Sequence, residues 1–389
     1  MRCRHVPPPA RSAVRGTLLA ALIAWSPGAQ RAARADDAPV ASPAAAPLSR
    51  IVFGSCIRQG APQPIWDAIV QYAPDATVLL GDNVYADTED MARMRALYAQ
   101  LAAEPGFQRL RAATRLYATW DDHDYGGNDA GAEYPMRAES KRAFLDFLGE
   151  PADSPRRLRD GVYQSYVLGP EGRRVQIILL DLRWVRSPLV SGLAGTSPSG
   201  GPIEGYLPND DPAATILGPD QWSWLARELE RPAELRLIGS SIQVLAEDHP
   251  YEKWRNFPRE RDRLLALIHS TGARGVVFLS GDRHDAELSL LPAAGGVDGL
   301  TGERTPNPAA YPLFDLTSSS FNAPRPWTWD VNRHRIGDVF WGANFGTVEI
   351  DWSQPDPLVT LGIRDATGTR AFGHTVPLST LAPHTLGSR

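Results

Sequence analysis

The chain has 389 residues, a formal net charge of −5 and average apolar and charged content. That length allows a sizeable core, built as one large domain or two, and the composition is not that of a disordered protein. The acidic balance argues against a stable nucleic-acid partner or electrostatic binding to anionic membranes. No stretch is apolar for long enough to anchor the chain across a bilayer.

The first 35 residues read as a cleavable export signal. Arg2, Arg4, Arg11 and Arg15 form a basic start, Thr17 to Trp25 is a short apolar run, and Ala33-Arg34-Ala35 is a small-x-small cleavage pattern. A periplasmic or secreted location is therefore expected. No adjacent arginine pair precedes the apolar run, so a twin-arginine route is not supported. Residues 36–49 are rich in Ala and Pro and read as a linker. Loss of the signal removes six arginines and no acid, leaving 34 basic against 45 acidic residues and a net charge of −11. It also removes Cys3, so Cys56 has no partner for an intramolecular disulfide.

From residue 50 the pattern alternates between short apolar runs and amphipathic segments. A strand ending near Phe53 runs into Gly54-Ser55-Cys56 and is followed by a helix from about Pro64 to Tyr72. The strand Ala76–Leu80 exits into Gly81-Asp82-Asn83-Val84-Tyr85 and precedes a helix from about Asp90 to Ala103. The strand Leu116–Thr119 exits into Trp120-Asp121-Asp122-His123-Asp124, with a helix from Met136 to Leu148 beyond it. Val175–Leu180 ends in Asp181-Leu182-Arg183. A helix opening at Gly218, a strand Leu235–Ser240, a helix Arg259–Thr271 and a strand Gly275–Leu279 follow, the last exiting into Ser280-Gly281-Asp282-Arg283-His284. Such alternation implies α/β layers around a buried sheet. The tail differs: Leu313–Thr317, Gly346–Asp351 and Leu358–Arg364 read as strands without intervening helices. They suggest a second, more antiparallel sheet and a four-layer αββα sandwich over residues 50–375, with 376–389 as a tail. Residues 187–217 form one long Gly/Pro/Ser-rich stretch without periodicity, as functional or mobile loops do.

Acids and imidazoles at the exits of buried strands are expensive unless a cation lies among them. Multivalent cations supply that charge, and the chemistry they most often serve is attack on a phosphate ester. Asp82 is the best candidate to bridge two metals, because Gly81 lets the backbone approach. Tyr85 supplies a phenolate only to a strongly acidic metal, and with a Cys56 thiolate it favours ferric iron over zinc or magnesium. A buried small apolar residue is the other common fate of a lone cysteine. Asp122 is a candidate ligand of the second metal, and Asn128, after Gly126-Gly127, offers a neutral oxygen suited to calcium or else a turn. Asp282 and His284 alternate about Arg283, so that each reaches one metal while Arg283 points elsewhere. His123 is placed to bind phosphate or protonate the leaving group. Arg183 and Arg186 either clamp phosphate oxygens or pair with acids. Gln243 is a further possible donor.

Together these segments resemble the alkaline phosphatase D (PhoD-like) family of calcineurin-like metallophosphoesterases, over most of residues 50–350. The tryptophan-led acidic block 120–124 is the most specific element. The resemblance implies a four-layer sandwich, an exported phosphatase acting at alkaline pH, and a site holding one Fe3+ and one or two Ca2+. Carried over by position, Cys56, Asp82, Tyr85 and His284 would hold iron, and Asp82, Asp122, Asn128 and Asp282 would serve calcium. Family members often carry an immunoglobulin-like domain before the first catalytic strand, and the stretch from Asp36 to Arg50 is too short for one. The expected activity is hydrolysis of small-molecule or lipid phosphate esters by metal-bound hydroxide. The alternatives are phosphodiesterase or phospholipase action on lipid or polymer diesters, and a calcium-binding surface protein without activity.

Overall fold

A computed structural model of the chain describes residues 46–196, 200–297, 302, 304–325 and 331–383; the expected leader and most of the linker lie outside them. The described residues fall within one unit, Ser42–Arg389. In chain order its first half contains β1 (Arg50–Gly54), α1 (Ile65–Tyr72), β2 (Ala76–Leu80), α2 (Met91–Ala103), α3 (Pro105–Ala113), β3 (Arg115–Thr119), α4 (Asp122–Tyr125), α5 (Arg137–Leu148), α6 (Pro155–Leu158), β4 (Gln164–Leu168) and β5 (Val175–Leu179). The second half contains β6 (Val190–Thr196), β7 (Pro202–Leu207), α7 (Gly218–Leu229), β8 (Leu235–Ser240), α8 (Pro258–Ser270), β9 (Val276–Ser280), β10 (Ala286–Leu291), β11 (Gly296–Val297), β12 (Arg304–Thr305), β13 (Leu313–Ser318), β14 (Asn344–Asp351), β15 (Leu358–Asp365) and β16 (Arg370–Pro377).

Two six-stranded mixed sheets carry the fold. The first has the order β16-β15-β14-β1-β2-β3: β1, β2 and β3 are parallel, and β14 to β16 extend it antiparallel. The second has the order β10-β13-β9-β8-β5-β4, with β13, β9, β8 and β5 parallel and an antiparallel strand at each edge.

Side-chain alternation decides the layering, because successive residues of a strand face opposite sides. Ala76, Val78 and Leu80 of β2 pack with Val175, Ile177 and Leu179 of β5 in the layer between the sheets. The intervening Leu79 packs outward with Trp66, Met94, Phe107 and Phe144, on the helices α1, α2, α3 and α5. Ile178 of β5 and Phe278 of β9 pack outward with Trp222, Leu225, Leu264 and Ile268, on α7 and α8. These inner strands are therefore apolar on both faces, and the result is helices, sheet, sheet, helices.

The expected four layers are present, but the tail strands are distributed differently. β14 and β15 do not found a second sheet; they join β1 in the first, with Ile51 opposite Val348. Only β13 enters the second sheet, beside β9. Periodicity shows that a strand exists but not which edge it finds. Helix α3 was not expected, because Pro105 and Gly106 lower its apparent propensity. Pro105 sits at its first position, where no donor is needed, and the Glu104 carboxylate accepts from the Gly106 amide. The aperiodic stretch 187–217 contains a hairpin, β6–β7, in which Ser191 lies opposite Tyr206.

The long connection from β8 to α8 is held by a buried carboxylate. Glu247 accepts from Arg261 (3.0 Å) and Thr305 (2.9 Å) and lies 2.8 Å from His334 Nε2. Burial alone would raise its pKa, but the His334 hydrogen bond and the Arg261 charge outweigh burial and bring it down from 4.5 to about 2. A lowered carboxylate stabilises the fold fully above its ordinary value, and that stability is lost as pH falls through the folded one. We expect Glu247→Gln to cost roughly 3 kcal/mol at neutral pH, with the penalty shrinking between pH 4.5 and 2. Denaturant unfolding of both proteins across that range measures it, and a pH-independent penalty would refute the assignment.

Candidate metal centre

The parallel strands β1, β2 and β9 all end at the same side of the two sheets, where ligand sites of α/β proteins form. Their exits share an unusual backbone. Cys56 (φ 61°), Asp82 (φ 49°), Asp282 (φ 70°) and His284 (φ 61°) all adopt left-handed conformations. Each such residue costs about 1–3 kcal/mol and persists only where its surroundings impose it. Gly81 takes φ 107°, and a Cβ there would come within 2.5 Å of the Asp121 amide nitrogen. Only glycine lets the β2 exit lie against the β3 exit.

These turns bring the donors together. Cys56, Asp82 and His284 form one group whose ligand atoms all lie within 4.8 Å of one another; Asp82, Asp122 and His123 form a second, and Asp121, Asp122 and Asp282 a third. Asp82 belongs to the first two and Asp122 to the last two, so the groups make one continuous cluster. Cys56 Sγ lies 3.4 Å from Asp82 Oδ2, and the Tyr85 hydroxyl lies 3.4 Å from His284 Nε2.

The electrostatics are unfavourable for protein atoms alone. Burial, then the charges of Asp122 and Asp121, push the Asp82 carboxyl well above its ordinary range. Asp282 is raised by burial and by the same two neighbours. Burial and Asp82 together raise the Cys56 thiol. Asp82 Oδ1 and Asp121 Oδ2 are buried without a hydrogen-bond partner. Acceptor oxygens aimed at one another in a dry interior suit cations, and thiol, phenol, imidazole and carboxylate are metal donors, so this set fits a metal centre.

Surrounding groups fix the donors. Asp124 is not in the cluster. Its carboxylate accepts from the amides of Asp82 (3.2 Å), Asp121 (2.7 Å) and Asn83 (3.3 Å), from Asn83 Nδ2 (2.5 Å) and from the Tyr98 hydroxyl (3.3 Å). His284 Nδ1 lies 2.6 Å from the Ala323 carbonyl, the donor tautomer that leaves Nε2 as a ligand nitrogen facing Tyr85. Burial and the Arg325 charge hold that imidazole down at about 3. Against the cost of burial, the charges of Arg183 and His123 hold Asp122 down at about 2.

A cavity of about 600 Å³ opens onto the cluster, lined among others by His123, Asn128, Tyr206, Tyr251, Arg283 and Arg325. His123 Nδ1 lies 2.7 and 2.8 Å from the two oxygens of Asp87. Burial lowers the His123 pKa, but the Asp87 hydrogen bond and the Asp122 charge raise it to about 9. Asn128 is exposed at the cavity rim, and its amide donates to Asp129 at 2.5 Å.

Arg183 and Arg186 do not reach the cavity. Both are fully buried. Arg183 donates to Asp121 at 2.5 and 2.7 Å and to Glu252 at 2.7 Å. Arg186 donates to the carbonyls of Ser187 and Asp129, with Nε 3.1 Å from Glu252. They lock the loop after β5 to the acidic block and leave no guanidinium nitrogen facing the cavity. Arg283, expected to point elsewhere, lines the cavity with Arg325. Gln243 donates to Glu287 and Thr317 and does not line the cavity. Asp87, Asp129, Tyr206 and Tyr251 were not anticipated. Asp87, five residues after Asp82, had a signal in its spacing; Tyr206, on β7, and Tyr251, on the connection between β8 and α8, are brought here only by the fold.

A family model described as PhoD-like phosphatase matches residues 51–328. Alkaline phosphatase D of Bacillus subtilis (strain 168) is 24% identical over 258 residues, which is 58% of this chain and 41% of that protein, so the chain spans less than half the length of this relative. The solved structure of PhoD superposes with a TM-score of 0.64 at 18% identity, over 86% of this chain and 70% of that one. Purple acid phosphatase PPD1 from yellow lupin (Lupinus luteus) gives 0.53 at 12% identity, over 86% of this chain and 55% of its own. GAP50, described as the anchor in the inner membrane complex of Plasmodium, gives 0.52 at 10% identity, over 85% and 89%. At these identities the structural likeness shows the fold alone, and one fold hosts different roles. The family match covers most of the two-sheet unit and all the strand exits described above, and this chain belongs to the PhoD-like phosphatase family.

Proposed function

We propose that the protein is a metal-dependent phosphoric ester hydrolase. The observation that carries this reading is the continuous cluster of donors shared through Asp82 and Asp122, with the buried Asp82 Oδ1 lacking any partner, next to an open cavity that the cluster members His123, Asp282 and His284 line. Family membership supports it. Cys56, Asp82, Tyr85 and His284 would hold ferric iron, a choice favoured by thiolate and phenolate donors; Asp82, Asp122, Asn128 and Asp282 would hold calcium. Bound there, the cations supply positive charge to the phosphoryl oxygens and acidify the attacking water.

The protein's own groups do the rest. Asp87 holds His123 through Nδ1, so Nε2 is the nitrogen left to carry a proton to the departing ester oxygen. Arg283 and Arg325, which line the cavity, meet the phosphate oxygens in the roles first considered for Arg183 and Arg186. Asp124 and Arg183 contribute by holding Asp82, Asn83 and Asp121 in place, so that little reorganisation accompanies the reaction. Among the described residues no helix is long and apolar enough to cross a membrane, and the basic-apolar start supports export with cleavage after Ala35.

An aryl phosphate monoester should be hydrolysed at alkaline pH with added calcium. His123→Ala should lower kcat by about 10²–10⁴-fold with metal content and fold intact; unchanged turnover in that variant would remove His123 from the mechanism. Cys56→Ser should lower the iron measured by elemental analysis of the purified protein. Full iron occupancy in that variant would show that the thiol is not a ligand.

A further inference from the structure

Hydrolysis of a phosphate ester needs charges, yet part of the cavity is lined by rings. Tyr206 reaches it from β7 and Tyr251 from the connection between β8 and α8. The two segments are joined: the Tyr206 amide donates to the Pro250 carbonyl at 2.8 Å, and Asn256 Nδ2 donates to the Tyr206 carbonyl at 3.0 Å. Gly205 permits this contact, because a Cβ there would collide with the Pro250 carbonyl. Both rings are held in place. The Tyr206 hydroxyl donates to Asp129 Oδ2 at 2.7 Å. The Arg283 guanidinium lies 4.3 Å from the Tyr251 ring centroid, although that side chain is 39% exposed. An exposed ring pinned by a cation at the edge of a charged cavity is a preorganised stacking surface. A cavity of about 600 Å³ has room for an organic group beside the phosphate.

We infer that Tyr206 and Tyr251 form an aromatic wall that reads the group esterified to the phosphate, and that the preferred substrates carry a flat ring there. This rests on the phosphoesterase reading above. A flat ring stacks on the wall over its whole face, whereas a puckered ring or a flexible chain touches it only in part. The wall therefore favours planar esters through binding and leaves the chemistry at phosphorus to the metal cluster and His123.

The test compares benzyl phosphate with cyclohexylmethyl phosphate, which share the phosphate and a primary alcohol leaving group and differ in the flatness of the ring. The metal-loaded wild-type protein should favour the benzyl ester in kcat/KM by about tenfold, mostly through KM. Tyr251→Leu and Tyr206→Leu should each bring that ratio toward one, and Tyr206→Phe, which keeps the ring, should retain it. A ratio between substrates cancels any general loss of active protein. Equal hydrolysis of the two esters by wild type, or a ratio unchanged in both leucine variants, overturns the aromatic wall and leaves the hydrolase reading intact. Loss of the ratio in Tyr206→Phe also overturns it, because the hydroxyl rather than the ring would then be responsible. No hydrolysis of either ester by the metal-loaded wild type overturns the reading on which the proposal rests.

Discussion

The organising constraint of this structure is the concentration of negative charge at a dry edge. Asp82, Asp121, Asp122 and Asp282 converge where parallel strands end, in groups whose oxygens lie within 4.8 Å of neighbouring donors. Two like charges at about 4 Å repel by roughly 4 kcal/mol even at an effective dielectric constant of 20. The chain offsets only part of this. Arg183 pairs with Asp121, and the Asp129 amide donates to Asp122 at 2.6 Å. Nothing comparable faces Asp82 Oδ1. An arrangement that unfavourable, held in left-handed backbone at four donor positions, is understandable if cations complete it.

The rest of the molecule serves to hold that edge still. Two sheets whose inner strands are buried on both faces give the exits a rigid base, since close-packed interiors yield little to local repulsion. Around the donors lie groups that hold them in position. Asp124 gathers three backbone amides, the Ala323 carbonyl orients His284, and Asp87 orients His123. Arg183 and Arg186 illustrate the difference between a charge near a site and a charge in it. Their side chains are spent on Asp121, Glu252 and backbone carbonyls, whereas Arg283 and Arg325 line the cavity.

The cavity is assembled from distant parts of the chain. The strand exits provide its floor, and the β6–β7 hairpin and the connection before α8 provide its aromatic side. The two contributions follow different rules. The floor is constrained by charge and by backbone geometry at fixed strand ends. The aromatic side depends on loops docking against each other, through Gly205 on Pro250 and Tyr206 on Asp129. The family match spans both parts, and surface connections such as these are where substrate preference has room to differ.

By itself the sequence determined the layered α/β architecture and the residue types at each strand exit. Both are local properties: apolar runs with glycine, aspartate and histidine at their ends are visible in five or ten consecutive residues. It also indicated that Cys56, Asp82, Asp122, His123, Asp282 and His284 belong to related positions, because equivalent placement on successive strands implies a common edge. Tertiary structure alone decided which sheet the tail strands join, since β14 pairs with β1 across nearly three hundred residues and carries β15 into the same sheet. It also decided which arginines are consumed as internal ion pairs, that Asp87 meets His123, and that Tyr206 and Tyr251 line the cavity. Those outcomes depend on distances between segments that carry no shared periodicity, and a pattern along the chain contains no information about the gap between two of its loops.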